Sequence, residues 1–303
     1  MFSTSHERGR VLADRHAIPA VHTSLDGLLT DPAVDAVYVS STNDLHAEQV
    51  VAAACAHKHV LCEKPLATRL DDGRRMRDAC IDAGVILAVN HHMRCQETVR
   101  TMRALIDVGA IGDVLAARTA FLASLVAHRR TWRTDRPQAG AGVVLDLTVH
   151  DADTLRYVLD DEIVAVTAMT TTQGVAVAPI EDGVVGTMRT RRGTLISFHD
   201  AFTIGHGGSA LEVHGTSGSL IGRDLFDALP TGEVVLRRGT SVEPIALAGR
   251  PNPYVRIVDA MLDAIAGRGR PLASADDGIA SLAVCLAVLE AAATGQTLAP
   301  GAS

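Results

Sequence analysis

Short apolar runs alternate with longer helical stretches between residues 30 and 90, and this alternation constrains the fold more than any other feature. The predicted strands are AVYVS (36–40), HVLC (59–62) and VILAVN (85–90). The predicted helices between them are LHAEQVVAAACA (45–56) and DDGRRMRDACIDAG (71–84). Short strands separated by helices of this length are typical of a parallel sheet. We therefore predict an α/β domain in this part of the chain.

The chain changes character after residue 160. Long β-rich runs follow one another with glycine-containing turns and no helices between them, which predicts an antiparallel sheet. These runs are IVAVTAMTTTQ, GVVGTMRT, GTLISFHDAFT, LEVHGTSGSLIG and EVVLRRG. Helices return in YVRIVDAMLDAIAG and GIASLAVCLAVLEAAA. A length of 303 residues with 47% hydrophobic content predicts two packed domains.

Composition excludes several classes of protein. The net charge is −7 and the basic residues are scattered, so we expect no nucleic-acid partner. The five cysteines are an odd number without C-x-x-C spacing, which favours reduced cysteines in a cytoplasmic protein. The sequence shows neither a signal-peptide core in MFSTSHERGR nor ~20 consecutive apolar residues. We expect no membrane partner.

A charged pair follows the HVLC strand directly, in Glu63-Lys64-Pro65. Ligands of open α/β sheets bind at the carboxyl ends of the strands, where this pair is placed. Proline restricts Lys64 to an extended conformation and can take a cis bond there. For the tripeptide alone, an ordinary solvated Glu-Lys pair is an equally good interpretation.

A second group of polar residues lies in GAGVVLDLTVHDADTLRYVL. Read as a helix from about Asp146, this stretch places Asp146, His150 and Asp153 on one face, so that Asp146 and His150 point into the same cavity. A histidine with a pKa near ~6.5 is suited to proton transfer, and a nearby carboxylate can orient it. The alternative is a helix start, with Asp146 stabilising the helix dipole and His150 merely exposed.

Together the two motifs resemble the glucose-fructose oxidoreductase and inositol dehydrogenase family, which has Glu-Lys-Pro after a strand and Asp-x-x-x-His on the helix entering the second domain. Further matches are VNHHMR (89–94), GAIGDV (109–114) and EVHGTSGSL (212–220). The resemblance implies a Rossmann-type parallel sheet followed by an α+β domain with a large open antiparallel sheet. It also implies a nicotinamide cofactor, with Lys64, Asp146 and His150 as the catalytic residues. We place the NADP-binding domain at residues 1–92 and the substrate-binding domain at residues 93–303.

Several less common stretches resemble one bacterial branch of that family. They are VYVSSTNDLHAEQ, HVLCEKPLA, TWRTDRPQAGAGVVLDLTVHDADTLRYVLDD and FHDAFT. This narrower resemblance implies NADPH-dependent reduction of the ketone of a sugar-like substrate, 1,5-anhydro-D-fructose, to 1,5-anhydro-D-mannitol. Two alternatives stay open: an NAD(P)-dependent inositol or sugar dehydrogenase, and a non-catalytic regulator that binds a sugar or a cofactor.

Carried over residue by residue, the resemblance also implies the contacts to NADP(H). Ser3, Thr4 and Arg8 would hold the 2′-phosphate, because hydroxyls and an arginine suit that group better than an acidic residue does. Alternatively, Thr4-Ser5-His6-Glu7 is a capping box that opens a helix. The remaining implied contacts are Ser41, Thr42, Asn43, Asp44, Leu45, His46, Glu63, Lys64, Asn90, Trp132, Arg133 and Tyr254. Asn43 could also cap the helix that follows it.

The sequence contains no G-x-G-x-x-G between a strand and a helix, the loop that lets backbone approach a pyrophosphate. The resemblance implies that the chain begins at the end of the second strand of the sheet. We therefore expect either a start site placed too far downstream or a truncated gene. The AVYVS strand would then lack a neighbour on one side, which favours pairing with another chain.

Two further expectations concern metals and assembly. The His91-His92 and His199-Asp200 pairs do not form a closed ligand set, so we predict no metal site. The open antiparallel sheet has a face that the chain's own helices do not obviously cover. We expect a homo-oligomer to form through that face.

Overall fold

The computed structural model describes residues 1–226, 232–249 and 251–301. Its first part is built on a three-stranded parallel sheet of order β1-β2-β3, with register partners Ala36 and His59, and Val60 and Leu87. The strands are β1 (Ala36–Val39), β2 (His59–Cys62) and β3 (Leu87–Val89). The helices of this part are α1 (His6–Arg15), α2 (Leu25–Leu29), α3 (His46–Cys55) and α4 (Leu70–Asp82). The predicted parallel sheet is confirmed.

One edge of this sheet faces a cleft. β1 pairs with β2 on one side, and its other edge borders a cleft of about 770 Å³. The N-terminal segment lies across the cleft, where Phe2 forms an isolated parallel bridge with His22. The predicted capping box is wrong by one position, because the hydroxyl of Ser5, not Thr4, accepts the N–H of Arg8 and opens α1.

The second part contains an eight-stranded sheet of order β11-β10-β9-β8-β4-β7-β6-β5. All its neighbouring strands are antiparallel except β4 and β7, which are parallel. The strands are β4 (Val114–Ser124), β5 (Ile163–Thr171), β6 (Gly183–Thr190), β7 (Leu195–Ala201), β8 (Thr203–Gly215), β9 (Ser219–Arg223), β10 (Glu233–Arg238) and β11 (Ser241–Pro244). The predicted fold class, a Rossmann-type sheet followed by a large open antiparallel sheet, is confirmed.

The helix expected to start at Asp146 has a different form. A π-helical turn, Val144–Thr148, runs directly into α7 (Val149–Leu159). Such turns recur at functional sites because the widened turn alters where side chains point. Asp153 does not lie in the cavity with Asp146. It is buried against Arg94, whose Nη2 is 2.6 Å from Asp153 Oδ1.

The long helix α9 (Ala275–Thr294) packs against both sheets. It contacts α4 and β3 of the first part and β5 and α7 of the second. By length and composition alone this helix could cross a membrane, yet half of its apolar window is buried inside the structure. The remaining helices are α5 (Glu97–Asp107), α6 (Trp132–Asp135) and α8 (Pro253–Ile265). Because α9 belongs to both cores, the domain boundary at residue 92 stays a prediction.

Candidate active site

The end of β2 and the π-helical turn meet at an ion pair. The Lys64 ammonium donates to Asp146 Oδ1 at 2.8 Å and to the Asp146 carbonyl oxygen at 2.8 Å. The Lys64–Pro65 peptide is cis. The structure therefore brings together two of the three residues that the sequence assigned to the reactive centre, although 82 positions separate them.

Two cations hold the Asp146 carboxylate. Arg133 of α6 is the second, with its Nε 3.5 Å from Asp146 Oδ1. Burial alone would raise the pKa of Asp146, but the charges of Lys64 and Arg133 outweigh burial and lower it. Asp146 is therefore ionised at neutral pH and fixes the Lys64 ammonium beside the cavity.

His150 is a neutral imidazole in this environment. It is 4% exposed, and its Nδ1 is buried without a hydrogen-bond partner among the described residues. Burial lowers the pKa of His150 well below its usual value, and the Lys64 charge lowers it further. A neutral imidazole can accept a proton from an alcohol, whereas donating one requires that the ring first be protonated.

His92 is a site residue that the sequence interpretation missed. Its ring lies edge-on to His150, with centroids 5.3 Å apart, and stacks on Tyr254 at 4.5 Å. Nδ1 lies 3.3 Å from the Asn90 carbonyl oxygen, which can only accept, so Nδ1 carries the hydrogen. Nε2 then accepts from the Tyr254 hydroxyl at 3.3 Å. The VNHHMR stretch contains this histidine, but the sequence alone indicates its two histidines only as possible metal ligands.

Asn90 ends β3 beside Glu63. Its side-chain amide donates to Glu63 Oε1 at 2.6 Å and to the Tyr38 hydroxyl at 3.1 Å, and Tyr38 donates to the same Glu63 oxygen. The opposite atom, Asn90 Oδ1, is buried with no partner in the described part of the chain. A buried acceptor without a donor is costly, so this oxygen points to a ligand that donates to it.

A pocket of about 370 Å³ opens next to Asp146 on the second part of the chain. Its floor is aromatic, formed by Phe121, Phe202 and Phe226. The Phe121 ring lies 6.1 Å from that of His150. The polar members of its lining, besides Asp146, are the exposed side chains of Ser124, His128 and Arg129. An apolar floor with a few polar groups is typical of a pocket for a small polar organic molecule.

The residues proposed for the 2′-phosphate line the cleft beside β1. Ser3, Thr4 and Arg8 contribute to this lining together with Ser41. Ser3 is partly engaged, since its hydroxyl donates to the Ser5 carbonyl oxygen at 2.8 Å. The structure thus brings these residues to one side of the three-stranded sheet, near the carboxyl end of β1.

The segment after β1 is arranged differently from the prediction. Asn43 does not cap α3, because its amide donates to the Gly140 carbonyl oxygen at 3.1 Å, 97 positions away. His46 is fully buried, with Nδ1 3.0 Å from the Pro65 carbonyl oxygen and Nε2 3.3 Å from the Ser41 carbonyl oxygen. His46 therefore lies between the segments that follow β1 and β2, and Asn43 connects the first of them to the segment before the π-helical turn. The others implied here are the half-buried Thr42 and the exposed Asp44 and Leu45.

The α6 segment supports Asp146 directly. The Arg133 guanidinium lies over the Trp132 ring, 4.4 Å from its centroid, while also reaching Asp146. The sequence interpretation placed both residues among the cofactor contacts. In the structure Arg133 pairs with Asp146, and Trp132 stacks on it.

Known proteins resemble this chain in sequence and in fold. Residues 1–91 match a family described as an oxidoreductase family with an NAD-binding Rossmann fold, and residues 99–221 match the GFO/IDH/MocA C-terminal domain. A relative from Ensifer adhaerens, 1,5-anhydro-D-fructose reductase, is 49% identical over 298 residues, covering 98% of this chain and 89% of the relative.

Two solved structures have the same fold. Aldose-aldose oxidoreductase from Caulobacter crescentus, complexed with glycerol, has a TM-score of 0.91 at 26% identity, covering 98% of this chain and 90% of that one. Levoglucosan dehydrogenase, in complex with NADH and levoglucosan, has a TM-score of 0.87 at 26% identity, covering 99% and 89%. This chain therefore belongs to the GFO/IDH/MocA family of oxidoreductases.

Proposed function

We propose that this protein is an NADPH-dependent reductase of a sugar-like ketone, with 1,5-anhydro-D-fructose as the substrate and 1,5-anhydro-D-mannitol as the product. One observation carries the proposal: the Lys64–Asp146 ion pair lies with a neutral His150 beside a pocket sized for a small polar molecule. The relative at 49% identity supports the choice of substrate.

The residues present fit the nicotinamide end of a dinucleotide. The orphaned Asn90 Oδ1 offers an acceptor beside Glu63, at the carboxyl edge of the parallel sheet. Ser3, Thr4 and Arg8 would hold the far end, and their hydroxyl and guanidinium groups favour a 2′-phosphate. The sequence supplies no glycine-rich loop for the pyrophosphate. When bound, the reduced nicotinamide supplies the hydride.

The chain's own residues would bind and protonate the carbonyl oxygen of the substrate. Lys64 has donors directed by Asp146, so it can hydrogen-bond the carbonyl oxygen and stabilise negative charge that develops there. His150 would deliver the proton to that oxygen after its ring has itself taken up a proton, which its lowered pKa favours only below neutral pH. Asp146 and Arg133 keep the ammonium in place. Tyr254 and the Asn90 backbone fix the ring of His92 against His150.

Consumption of NADPH with 1,5-anhydro-D-fructose tests the proposal. His150→Asn should lose ~10²–10⁴ in turnover, as expected for a positioned proton donor. Its NADPH affinity should stay unchanged, as measured by the fluorescence of Trp132, the single tryptophan. His57→Asn is the matched control, because that histidine is exposed and remote from the site. Equal turnover of His150→Asn and the wild type would remove His150 from the reaction.

Two experimental outcomes would indicate a function other than the proposed one. Oxidation of inositol or another sugar with NAD(P)+, without reduction of the ketone, would indicate a dehydrogenase that uses the same residues. Cofactor or sugar binding without turnover of any substrate in the panel would indicate a binding protein. If kcat/KM for NADH equals kcat/KM for NADPH, the role given to Ser3, Thr4 and Arg8 is contradicted.

We also propose that this cytoplasmic enzyme forms a homo-oligomer through the open face of the eight-stranded sheet. Large apolar side chains lie exposed on that face: Met169 is 74% exposed, Val185 45% and Leu195 63%. Met169 and Val185 are direct partners on β5 and β6, so their exposed surfaces adjoin. Contiguous exposed apolar surface is typical of an interface.

A further inference from the structure

Two aspartates are completely buried behind the helix that carries His150. Asp151 of α7 and Asp200 of β7 are each 0% exposed. No cation is among the groups that act on either carboxyl within the described part of the chain. Two adjacent carboxylates cannot both be ionised in such a place, because each would raise the cost of the other's charge.

Hydrogen bonding decides which aspartate carries the charge. Asp200 Oδ1 accepts the Phe121 N–H at 3.1 Å, and Asp200 Oδ2 accepts the Thr148 hydroxyl at 2.6 Å. Both Asp200 oxygens therefore act as acceptors, as in an ionised carboxylate. The 2.6 Å distance is in the range of a hydrogen bond to a charged oxygen.

Asp151 has the opposite environment. Apart from the Asp200 carboxyl, which it can reach only when it carries a proton, Asp151 has no hydrogen-bond partner for either oxygen among the described residues. Burial raises the pKa of Asp151 well above its usual value, and the charge of Asp200 raises it further. Burial raises the pKa of Asp200 only to about 6, since hydrogen bonds from Asp151, Thr148 and Phe121 oppose it. The proton of the pair is therefore on Asp151.

We propose that Asp151 and Asp200 share one proton, held by Asp151, and that the Asp200 carboxylate is a positioning residue for the active site. Thr148 lies in the π-helical turn between Asp146 and His150, so anchoring its hydroxyl fixes the turn that aims both side chains. The Phe121 backbone is anchored by the same carboxylate, and its ring lines the pocket near His150.

Among the described residues, the remaining groups that face the pair carry no compensating charge. They are the Thr119 hydroxyl of β4 and the buried Cys285 thiol of α9, whose pKa is raised by burial and by Asp200. Lys64 is engaged by Asp146. The charge of Asp200 therefore depends on the proton of Asp151 and on its two donors.

Isosteric variants separate the two aspartates. This step rests on the proposed function, since kcat is measured with NADPH and the ketone. Asp200→Asn removes the negative charge and replaces one acceptor oxygen by a donor amide, so the Thr148 hydroxyl can no longer donate to a charged oxygen while the other oxygen accepts the Phe121 N–H. We expect kcat to fall by about tenfold to a hundredfold, with NADPH affinity unchanged. Asp151→Asn keeps a donor toward Asp200, and its kcat should stay within about twofold of the wild type.

Thr148 supplies a second test should Asp200→Asn fail to fold. Thr148→Val removes the hydroxyl at constant size and should lower kcat as Asp200→Asn does, whereas Thr148→Ser should restore it. The double variant of Asp200→Asn and Thr148→Val should have a kcat no lower than that of the more impaired single variant, because both substitutions break the same contact between Thr148 and Asp200. Wild-type kcat in Thr148→Val, or equal damage in Asp151→Asn and Asp200→Asn, would overturn the proposal.

Infrared spectroscopy tests the proton without relying on activity. In a Glu181→Gln background, which removes another largely buried carboxyl whose pKa burial raises to about 7, the protein at neutral pH should show the C=O band of a protonated, buried carboxyl group, and Asp151→Asn should remove that band. Persistence of the band in Asp151→Asn would refute the assignment. If the Glu181→Gln protein shows the band but the wild type does not turn over the ketone, the proposed function fails while the shared proton stands.

Discussion

Glu181 lies in the connection between β5 and β6 and caps the turn that carries Asp146. Its Oε1 accepts the Val144 N–H at 3.1 Å, and its carbonyl oxygen accepts the Val143 N–H at 3.1 Å. The carboxylate also fills the space where a Cβ on Gly142 would lie, since Oε1 would be 2.1 Å from that atom. Glu181 therefore combines a structural hydrogen bond with a costly buried charge.

The sign and size of its effect follow from its pKa. Burial raises the pKa of Glu181 from 4.5 to about 7, because only the Val144 and Glu181 backbone N–H groups oppose burial and Asp182 adds to it. Between these two pH values the folded state binds the proton that the unfolded state has lost. The free energy of unfolding must therefore fall as pH rises through this window. At about 1.4 kcal/mol per pH unit, the loss amounts to about 3 kcal/mol above pH 7.

Glu181→Gln should remove that loss. The glutamine carbonyl oxygen can still accept the Val144 N–H, so the cap persists while the titration disappears. Urea denaturation from about pH 5 to about pH 8 should show the variant gaining up to about 3 kcal/mol over the wild type as pH rises. Glu290→Gln is the matched control, since Glu290 is exposed on α9 and water solvates its charge in both states. Parallel pH curves for Glu181→Gln and the wild type would refute the reasoning.

Three further results are expected. Lys64→Met should lose at least ~10² in ketone turnover, because it removes the donor to the carbonyl oxygen; turnover within a few-fold of the wild type would contradict this. Since the pKa of His150 is depressed, reduction should quicken as pH falls below neutral, and oxidation of the product alcohol should slow over the same range. Stopped-flow rates of the two reactions that do not change in opposite directions would exclude His150 as the proton donor. Leu195→Asp should lower the mass found by light scattering, whereas an unchanged oligomer, or a wild-type monomer, would exclude the sheet face as the interface.

The parts of the fold that depend on local periodicity could be predicted from the sequence. HVLC became β2 and the apolar stretch at the C-terminus became α9, because a strand buried on both faces leaves a continuous apolar run and a buried helix leaves a long apolar stretch. The cap assigned to Asn43 was wrong for the opposite reason. Its amide binds Gly140, and a partner 97 positions away leaves no local pattern.

For the candidate site too, local motifs could be predicted from the sequence, whereas contacts between distant parts of the chain could not. Lys64 and Asp146 were brought together by two motifs considered jointly, since neither pointed to function alone. His92 was missed because its significance lies in a ring stacked on Tyr254, which comes from a helix far along the chain. The aromatic floor was missed as well, because Phe121 and Phe226 meet only when the eight-stranded sheet has formed, with centroids 5.2 Å apart.

Asp146 and Asp151 show how one helix keeps two identical side chains in opposite states. Asp146 faces Lys64 and Arg133, so its charge is stabilised and remains beside the pocket. Asp151 faces another carboxyl and no cation, so it keeps its proton and leaves the negative charge on Asp200. The segment is thereby held by the Lys64–Asp146 ion pair and by the contact of Asp200 with Thr148. Burial, reinforced by the Lys64 charge, keeps the ring of His150 on α7 neutral. The sequence letters alone do not distinguish these aspartates; the groups that face them after folding do.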